Sequence, residues 1–206
     1  MIRFLYADQL DAFPKLRDSM FRDRAEQFAY RLKWDVAVDE NGFERDDYDT
    51  ENPVYIIYEL PDGSHGGSMR ILPTTGKTMV NDHFLHLTNG VAIQSPLIWE
   101  CTRFCLSPKG DCTVAGALML AGAEFGAKSG LTHSVGVFDA RMIPIYRRLG
   151  WQPEILGKSG EGRTAVAIGL WPIDQHLPDK LAARAGIPRA QSIAWFEDAF
   201  GPSLAA

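Results

Sequence analysis

The residues able to do chemistry are mostly arginines and acids at short spacings. Arg24, Phe28 and Arg31 fall at i, i+4 and i+7, so on a helix they share one face. Asp46 and Asp49 stand in an acidic stretch, Asp39 to Asp62, with nine acids against one base, Arg45. Arg70 follows in a β-rich segment, where a planar guanidinium can hold a carboxylate through two N–H groups. Glu100 and Arg103 lie inside the apolar run Ile98 to Leu106 (IWECTRFCL). A carboxylate between Trp99 and Cys101 is costly to bury unpaired. It is either half of a structural ion pair or a group that carries a proton; burial would raise its pKa and a nearby guanidinium would lower it. Spacing alone leaves bland readings open. The Arg24 face is equally an amphipathic stripe (the reading for Arg31), the acidic stretch a solvated surface (the reading for Asp47), and Arg70 a cross-strand ion-pair member.

These residues need elements to hold them. Leu10, Phe13, Leu16, Met20, Phe28 and Leu32 recur at helical spacing, with Pro14 placed where a first turn tolerates it. Trp34 to Val38 reads as a short strand. Pro53 to Leu60 and Gly66 to Leu72 read as a hairpin about Pro61-Asp62-Gly63-Ser64. A short helix near Asn81 to Leu87 precedes a buried strand, Ile98 to Leu106. A long helix from about Asp111 to Ser129 ends at Gly130. Leu131 to Phe138 is a strand, Met142 to Leu149 a helix stopped at Gly150, and Thr164 to Trp171 a closing strand, before two amphipathic helical segments. Hairpins mixed with strand–helix–strand units predict α+β, a mixed sheet covered by helices. In a regular strand Glu100 and Arg103 point to opposite faces, so sharing a site requires a bulge or a sharp twist between them.

Composition bounds the rest. With 206 residues, 46% of them hydrophobic and 23% charged, the chain can bury a core. A net charge of −5 argues against nucleic acid as a partner. No apolar run approaches the ~20 residues of a membrane helix, and Met1 to Tyr6 is too short for a secretory signal. A soluble, cytoplasmic protein is expected. Cys101, Cys105 and Cys112 form no Cys-x-x-Cys pair and read as reduced, mostly buried thiols. His83 and His86 lack a carboxylate to complete a metal set, so no metal is expected. No linker or repeat divides the sequence, which predicts one domain over residues 1–206 with helices at about 174–200 as an appendage.

Two groups of motifs carry a resemblance. The segment from Cys105 through the long helix to Tyr146-Arg147-Arg148-Leu149-Gly150-Trp151 is similar to the second half of the N-acetyltransferase fold. Before it, Arg24-x-x-x-Phe28, Arg31-Leu32-x-Trp34, Asp46-x-Tyr48-Asp49, Gly67-x-x-Arg70-x-Leu72-Pro73-Thr74-Thr75-Gly76, Phe84 and Glu100-x-x-Arg103-Phe104 occur in order. This set resembles the acyl-homoserine lactone synthases, the autoinducer synthases of bacterial quorum sensing, over roughly residues 1 to 170. The resemblance implies a three-layer α/β/α fold around a twisted mixed sheet. It implies that the α-amine of S-adenosylmethionine attacks an acyl thioester on acyl carrier protein, or on coenzyme A in some members. The carboxylate then closes on Cγ and expels methylthioadenosine. S-adenosylmethionine is thus a substrate, and no prosthetic group is expected. Glu100, Arg103, Asp46 and Arg70 become the catalytic set, with Glu100 a general base acting through water and Arg70 holding the carboxylate network. Arg24, Phe28, Trp34, Asp49, Phe84 and Phe104 become substrate-binding residues, Trp34 as a wall beside the sulfonium or adenosyl group.

The loop Lys109-Gly110-Asp111-Cys112-Thr113 has one glycine and places an acid where a pyrophosphate would sit, which disfavours coenzyme A. Arg141, Arg147, Arg148, Lys158 and Arg163 outnumber Glu154 and Glu161, making either a docking patch for an acidic carrier or a solvated face. Val114 to Phe125 and Leu131 to Phe138 would wall an acyl tunnel, or serve as plain core. Two rivals remain. A coenzyme A-dependent N-acyltransferase of small amines leaves the Arg24-to-Arg70 constellation without a role. A catalytically silent acyl-chain binding module would be marked by loss of Glu100, Arg103 or the Asp46/Asp49 pair, and all are present.

Overall fold

Seven strands form one mixed sheet in the computed structural model, which describes residues 1–202 apart from the side chain of Arg163. In chain order the elements are β1 (Ile2–Tyr6), α1 (Pro14–Ala25), β2 (Val54–Glu59), β3 (His65–Pro73), α2 (Met79–His83), β4 (Ile98–Leu106) and α3 (Thr113–Lys128). They continue as β5 (His133–Asp139), α4 (Ile143–Leu149), β6 (Glu154–Ser159), β7 (Val166–Pro172), α5 (Leu177–Ala185) and α6 (Arg189–Phe200). The spatial order is β1-β2-β3-β4-β5-β7-β6, antiparallel throughout except for the parallel pair β4–β5, which α3 connects.

Both faces are covered, giving three layers. Val54, Ile56, Met69 and Ile71 pack toward α3, where Leu118, Leu181, Trp195 and Phe196 join the same cluster, so α5 and α6 contribute to the main core. On the other face Tyr55 and Ile57 meet Leu16, Met20 and Phe21 of α1. A strand buried on both sides reads as a continuous apolar run, which is why PVYIIYEL shows no alternation. Pro14 opens α1, and after Ala25 the chain widens into a π-helical turn, Glu26–Arg31. Gly150 ends α4 at φ +96°, a conformation that disfavours any side chain, and a Cβ there would lie 2.6 Å from Arg184 Cδ.

Several expectations need correction. Trp34 to Val38 is not a strand; Val38 makes a single bridge to Glu44. β1 and β6 are strands beyond those expected. β6 is almost wholly exposed, so no buried face patterns its sequence. The short helix is α2 followed by a 3₁₀ turn, Leu85–Thr88. Cys105 is buried, Cys101 half-buried and Cys112 exposed. Among the described residues no helix is long and apolar enough to cross a membrane, and no group of three or more His, Cys, Asp or Glu could hold a metal ion.

Candidate active site

β4 can serve the site because it is irregular. Ser68 pairs with Cys105 and Arg70 with Thr102, two steps on β3 against three on β4. The extra residue is Arg103, at φ +53°. A non-glycine residue held there costs on the order of 1–3 kcal/mol, so its surroundings must enforce it. The bulge puts Thr102 and Arg103, neighbours in sequence, on the same face as Glu100. Trp99, Cys101 and Phe104 pack against the α3 cluster on the other. The break required between Glu100 and Arg103 is therefore present.

Three guanidiniums and three carboxylates interlock on that face. Arg24 donates to Glu44 at 2.6 Å and through both terminal nitrogens to Asp49, each at 3.0 Å. Arg70 donates to Thr102 Oγ1 at 3.0 Å, to Asp49 at 2.8 Å and to both oxygens of Asp46. Arg103 reaches Glu44 at 2.8 Å and Asp46 at 2.7 Å through Nη2. Its Nη1 finds only the thioether of Met79, at 3.4 Å. Burial works to raise the Asp49 pKa, but Arg24 and Arg70 overrule it and hold this carboxyl well below the usual range. Tyr55 also donates to Asp49, at 2.5 Å.

Glu100 is treated differently. Among the described residues no guanidinium touches it; it accepts from the N–H groups of Met79 (3.0 Å) and Val80 (2.6 Å) at the start of α2. Burial pushes its carboxyl up to about 7, against the lowering pull of those N–H groups and of the more distant Arg70 and Arg103. Each oxygen keeps lone pairs for a further donor, since an ionised carboxylate offers about four acceptor positions.

β4 and β5 are paired only from Ile98 to Glu100 against His133 to Val135. Beyond that they part, and a cavity of about 1440 Å³ runs from one face of the sheet to the other. Its polar end is lined by Phe28, Trp34, Asp46, Met79, Phe84, Glu100 and Arg103, and its apolar end by Met69, Met119, Phe125, Phe138, Tyr146, Trp151 and Trp171. Phe28 and Trp34 stack with centroids 5.1 Å apart, and the Arg103 guanidinium lies 5.4 Å from the Phe28 ring. Of the expected tunnel walls, Ala115, Met119, Gly122 and Phe125 of α3 and Ser134, Gly136 and Phe138 of β5 face the cavity. Gly116 instead packs against Ala185, so part of the small-residue run serves helix packing.

Not every expected residue reaches the cavity. Arg24, Asp49 and Arg70 do not line it, and the three nitrogens of each guanidinium already meet protein oxygens. These residues hold the groups that do line it. Phe104 lines the apolar end rather than the polar one. Arg31 and Asp47, read as surface from sequence, are exposed and line the cavity as well. Glu44, with no exposure at all, escapes sequence reasoning although it links Arg24 to Arg103. Its one signal is a place after Asn41-Gly42 and beside Phe43. Tyr48 likewise escapes it as a support: its ring lies under Arg70 and its hydroxyl donates to Asp82 at 2.8 Å. Burial pushes Cys101 and Cys105 up to about 12, so neither thiol is a ready nucleophile.

A twisted mixed sheet whose one parallel pair splits into a cleft is the fold of N-acyltransferases. An acyl-CoA N-acyltransferase from Pseudomonas aeruginosa superposes with TM-score 0.56 at 14% identity, over 82% of this chain and 98% of that one, a likeness of fold alone. An autoinducer synthase family model matches residues 9–181. The acyl-homoserine-lactone synthase of Rhizobium etli is 40% identical over 180 residues, 84% of each chain. The CoA-dependent acyl-homoserine lactone synthase BjaI, solved with SAM and isopentyl-CoA, superposes with TM-score 0.80 at 26% identity, over 91% of this chain and 90% of that one. The chain belongs to the autoinducer synthase family, and its activity class is that of an acyl-homoserine-lactone synthase, an acyltransferase.

Proposed function

We propose that the chain, acting as one domain in the bacterial cytoplasm, acylates S-adenosylmethionine from acyl carrier protein and closes the lactone, releasing methylthioadenosine for quorum sensing. The observation that carries this reading is Glu100, a buried carboxylate held by two backbone N–H groups, lining an apolar chamber beside an arginine-bound knot. The substrate amine arrives as an ammonium. Glu100, through a water, takes its proton; the amine then attacks the thioester carbon, and the thiolate leaves with a proton. In the second step the methionyl carboxylate attacks Cγ, the C–S⁺ bond breaks and the sulfonium departs as a neutral thioether. Here the protein has only to fold the substrate so that the two atoms meet.

Charge supports this substrate. Arg24, Arg70 and Arg103 balance Glu44, Asp46 and Asp49, so ionised Glu100 leaves the site at 3 − 4 = −1. S-adenosylmethionine, with ammonium, sulfonium and carboxylate all ionised, is a net cation. Arg103 Nη1 meets no oxygen among the described residues and so can position the substrate carboxylate. Trp34, stacked on the buried Phe28 and itself 40% exposed, offers an aromatic face to the sulfonium, worth ~0.5–2 kcal/mol.

For the donor, Asp111 favours a carrier protein. Its carboxylate accepts from Thr113 N at 2.8 Å and Thr113 Oγ1 at 2.5 Å, occupying the start of α3 where a pyrophosphate would need free N–H groups. The test supplies purified protein with S-adenosylmethionine and the same acyl group on carrier protein or on coenzyme A, reading methylthioadenosine release and lactone mass. Lactone with a clear preference for the carrier protein is expected. Lactone made equally well from coenzyme A overturns the donor assignment. An acylated amine without methylthioadenosine would make the protein an ordinary N-acyltransferase, and no product with any donor would make it a binding module.

A further inference from the structure

At the polar end of the cavity a thioether stands where an oxygen would be expected. Of the six methionines, Met20, Met69 and Met119 are buried and Met1 is exposed, while Met79 and Met142 are half-buried in the cavity wall. Met79 is set apart by charge. Its sulfur lies 3.4 Å from Arg103 Nη1 and 3.8 Å from Arg70 Nη2, and among the described residues no other methionine sulfur accepts from a guanidinium. Its own N–H donates to Glu100 at 3.0 Å, which fixes the root of the side chain. A thioether is a weak acceptor, so these contacts satisfy the guanidiniums poorly and leave the sulfur nucleophilic. Facing a cavity of about 1440 Å³, it is open to a small oxidant.

One added oxygen would change what this wall does. In reaction with a peroxide, a sulfur lone pair forms the S–O bond as the O–O bond breaks. The hydroxide that leaves takes the proton carried by the transferred oxygen and departs as water. The sulfur is oxidised by two electrons and the peroxide reduced by two. Arg103 Nη1, which meets no oxygen among the described residues, can donate to the leaving hydroxide. The sulfoxide is polar, and its oxygen is a far better acceptor than the thioether it replaces. That oxygen starts within reach of two guanidinium nitrogens, at the position assigned above to the substrate carboxylate. Reversal needs a methionine sulfoxide reductase and two thiols, which become a disulfide as the oxygen leaves in water.

We propose that Met79 is an oxidation site, its sulfoxide oxygen taking the Arg103 and Arg70 nitrogens and so closing the anion position to S-adenosylmethionine. The position belongs to the substrate carboxylate only on the acyl-transfer reading above, so binding and turnover are read separately. The protein is treated with hydrogen peroxide and its sulfoxides are mapped by peptide mass spectrometry. Calorimetry gives the Kd for S-adenosylmethionine, beside an assay of methylthioadenosine release. Kd should rise in step with sulfoxide at Met79, by about tenfold or more, the worth of one hydrogen bond to a charged group. Thermal melts should keep one cooperative transition, and reductase with a thiol should restore the affinity. Met79→Leu, judged against its own untreated Kd, should be unmoved by the same treatment. Three results would overturn the proposal: Met79 staying a thioether, Met79 sulfoxide with an unchanged Kd, or an equal loss of affinity in Met79→Leu. Failure of the reductase to restore affinity as it removes the Met79 oxygen would do the same. Untreated protein that binds S-adenosylmethionine but releases no methylthioadenosine would fail the acyl-transfer reading, with Met79 still decided by Kd. Untreated protein that does not bind it at all would overturn both.

Discussion

At the residue scale, two carboxylates of equal burial are put to opposite uses. Glu44 is bracketed by Arg24 and Arg103, whereas Glu100 meets only backbone N–H groups. Replacing Glu44 by Gln leaves two buried guanidiniums short of counter-charge, so stability should fall by about 3–5 kcal/mol, read as a lower urea midpoint. Replacing Glu100 by Gln should leave the fold intact and lower kcat by about 10²–10⁴-fold in a methylthioadenosine assay; near-normal turnover would remove its role as base. The pH dependence has a definite sign. Glu100 titrates at about 7 in the folded protein against an ordinary 4.5, so its favourable contribution is complete below 4.5 and lost as pH rises through 7. Thermal melts across that window should show wild type losing stability relative to Glu100→Gln, and parallel curves would exclude the shifted titration. Activity should move the other way, kcat/KM for S-adenosylmethionine rising through about 7 as the base deprotonates.

At the element scale, the bulged strand β4 and the capped helix α3 define the site. Period-two alternation along IWECTRFCL already demands a break between Glu100 and Arg103, so this much of the site is legible in the residue order itself. The hairpin, the long helix and its stop at Gly130 are legible for the same reason: local patterns carry their own physics. Tertiary partners are not. Glu44 comes from a loop whose isolated β-bridge is to Val38 and whose Glu44 N–H reaches the Phe21 carbonyl, and no periodicity marks an acid as buried there. Tyr55 belongs to a strand buried on both faces, which conceals which face its hydroxyl serves. β6 lacks a buried face, and Trp34 to Val38 has strand-like composition with no neighbouring strand to pair along its length. The α3 cap carries its own prediction. Asp111→Ala removes the acceptor for Thr113 N and should lower stability, read as a lower urea midpoint. If the carboxylate also keeps pyrophosphate away, the same variant should use acyl-coenzyme A better while its rate with carrier protein holds. A stability loss without any gain toward coenzyme A would leave Asp111 as a cap alone.

At the scale of the whole molecule, the proposed carrier-protein donor requires charge and cavity to agree on where it approaches. The chain is net −5, so an acidic carrier is repelled overall and needs a local positive surface. Arg147, Arg148 and Lys158 are exposed, on α4 and β6, while Arg141 is tied to Asp139 at 2.8 Å and Arg163 has its side chain outside the described residues. Ile145 and Leu149 of α4 line the cavity, and Arg148 of the same helix lines a second pocket with Arg184 and with Thr113 at the start of α3, so a carrier protein docking on Arg147 and Arg148 would sit beside the cleft. Exposed charges of this kind act on encounter more than on chemistry. Reversing both, Arg147→Glu with Arg148→Glu, should therefore raise KM for acyl carrier protein about tenfold at low salt and leave kcat unchanged. The gap should close as salt rises, because the screening length falls to ~3 Å at 1 M. An uncharged acyl-pantetheine donor supplies the control: its KM should be the same for both proteins. A rise shared by that donor would mean the substitutions distort the cleft, and no rise for the carrier at low salt would move its docking surface elsewhere on the molecule.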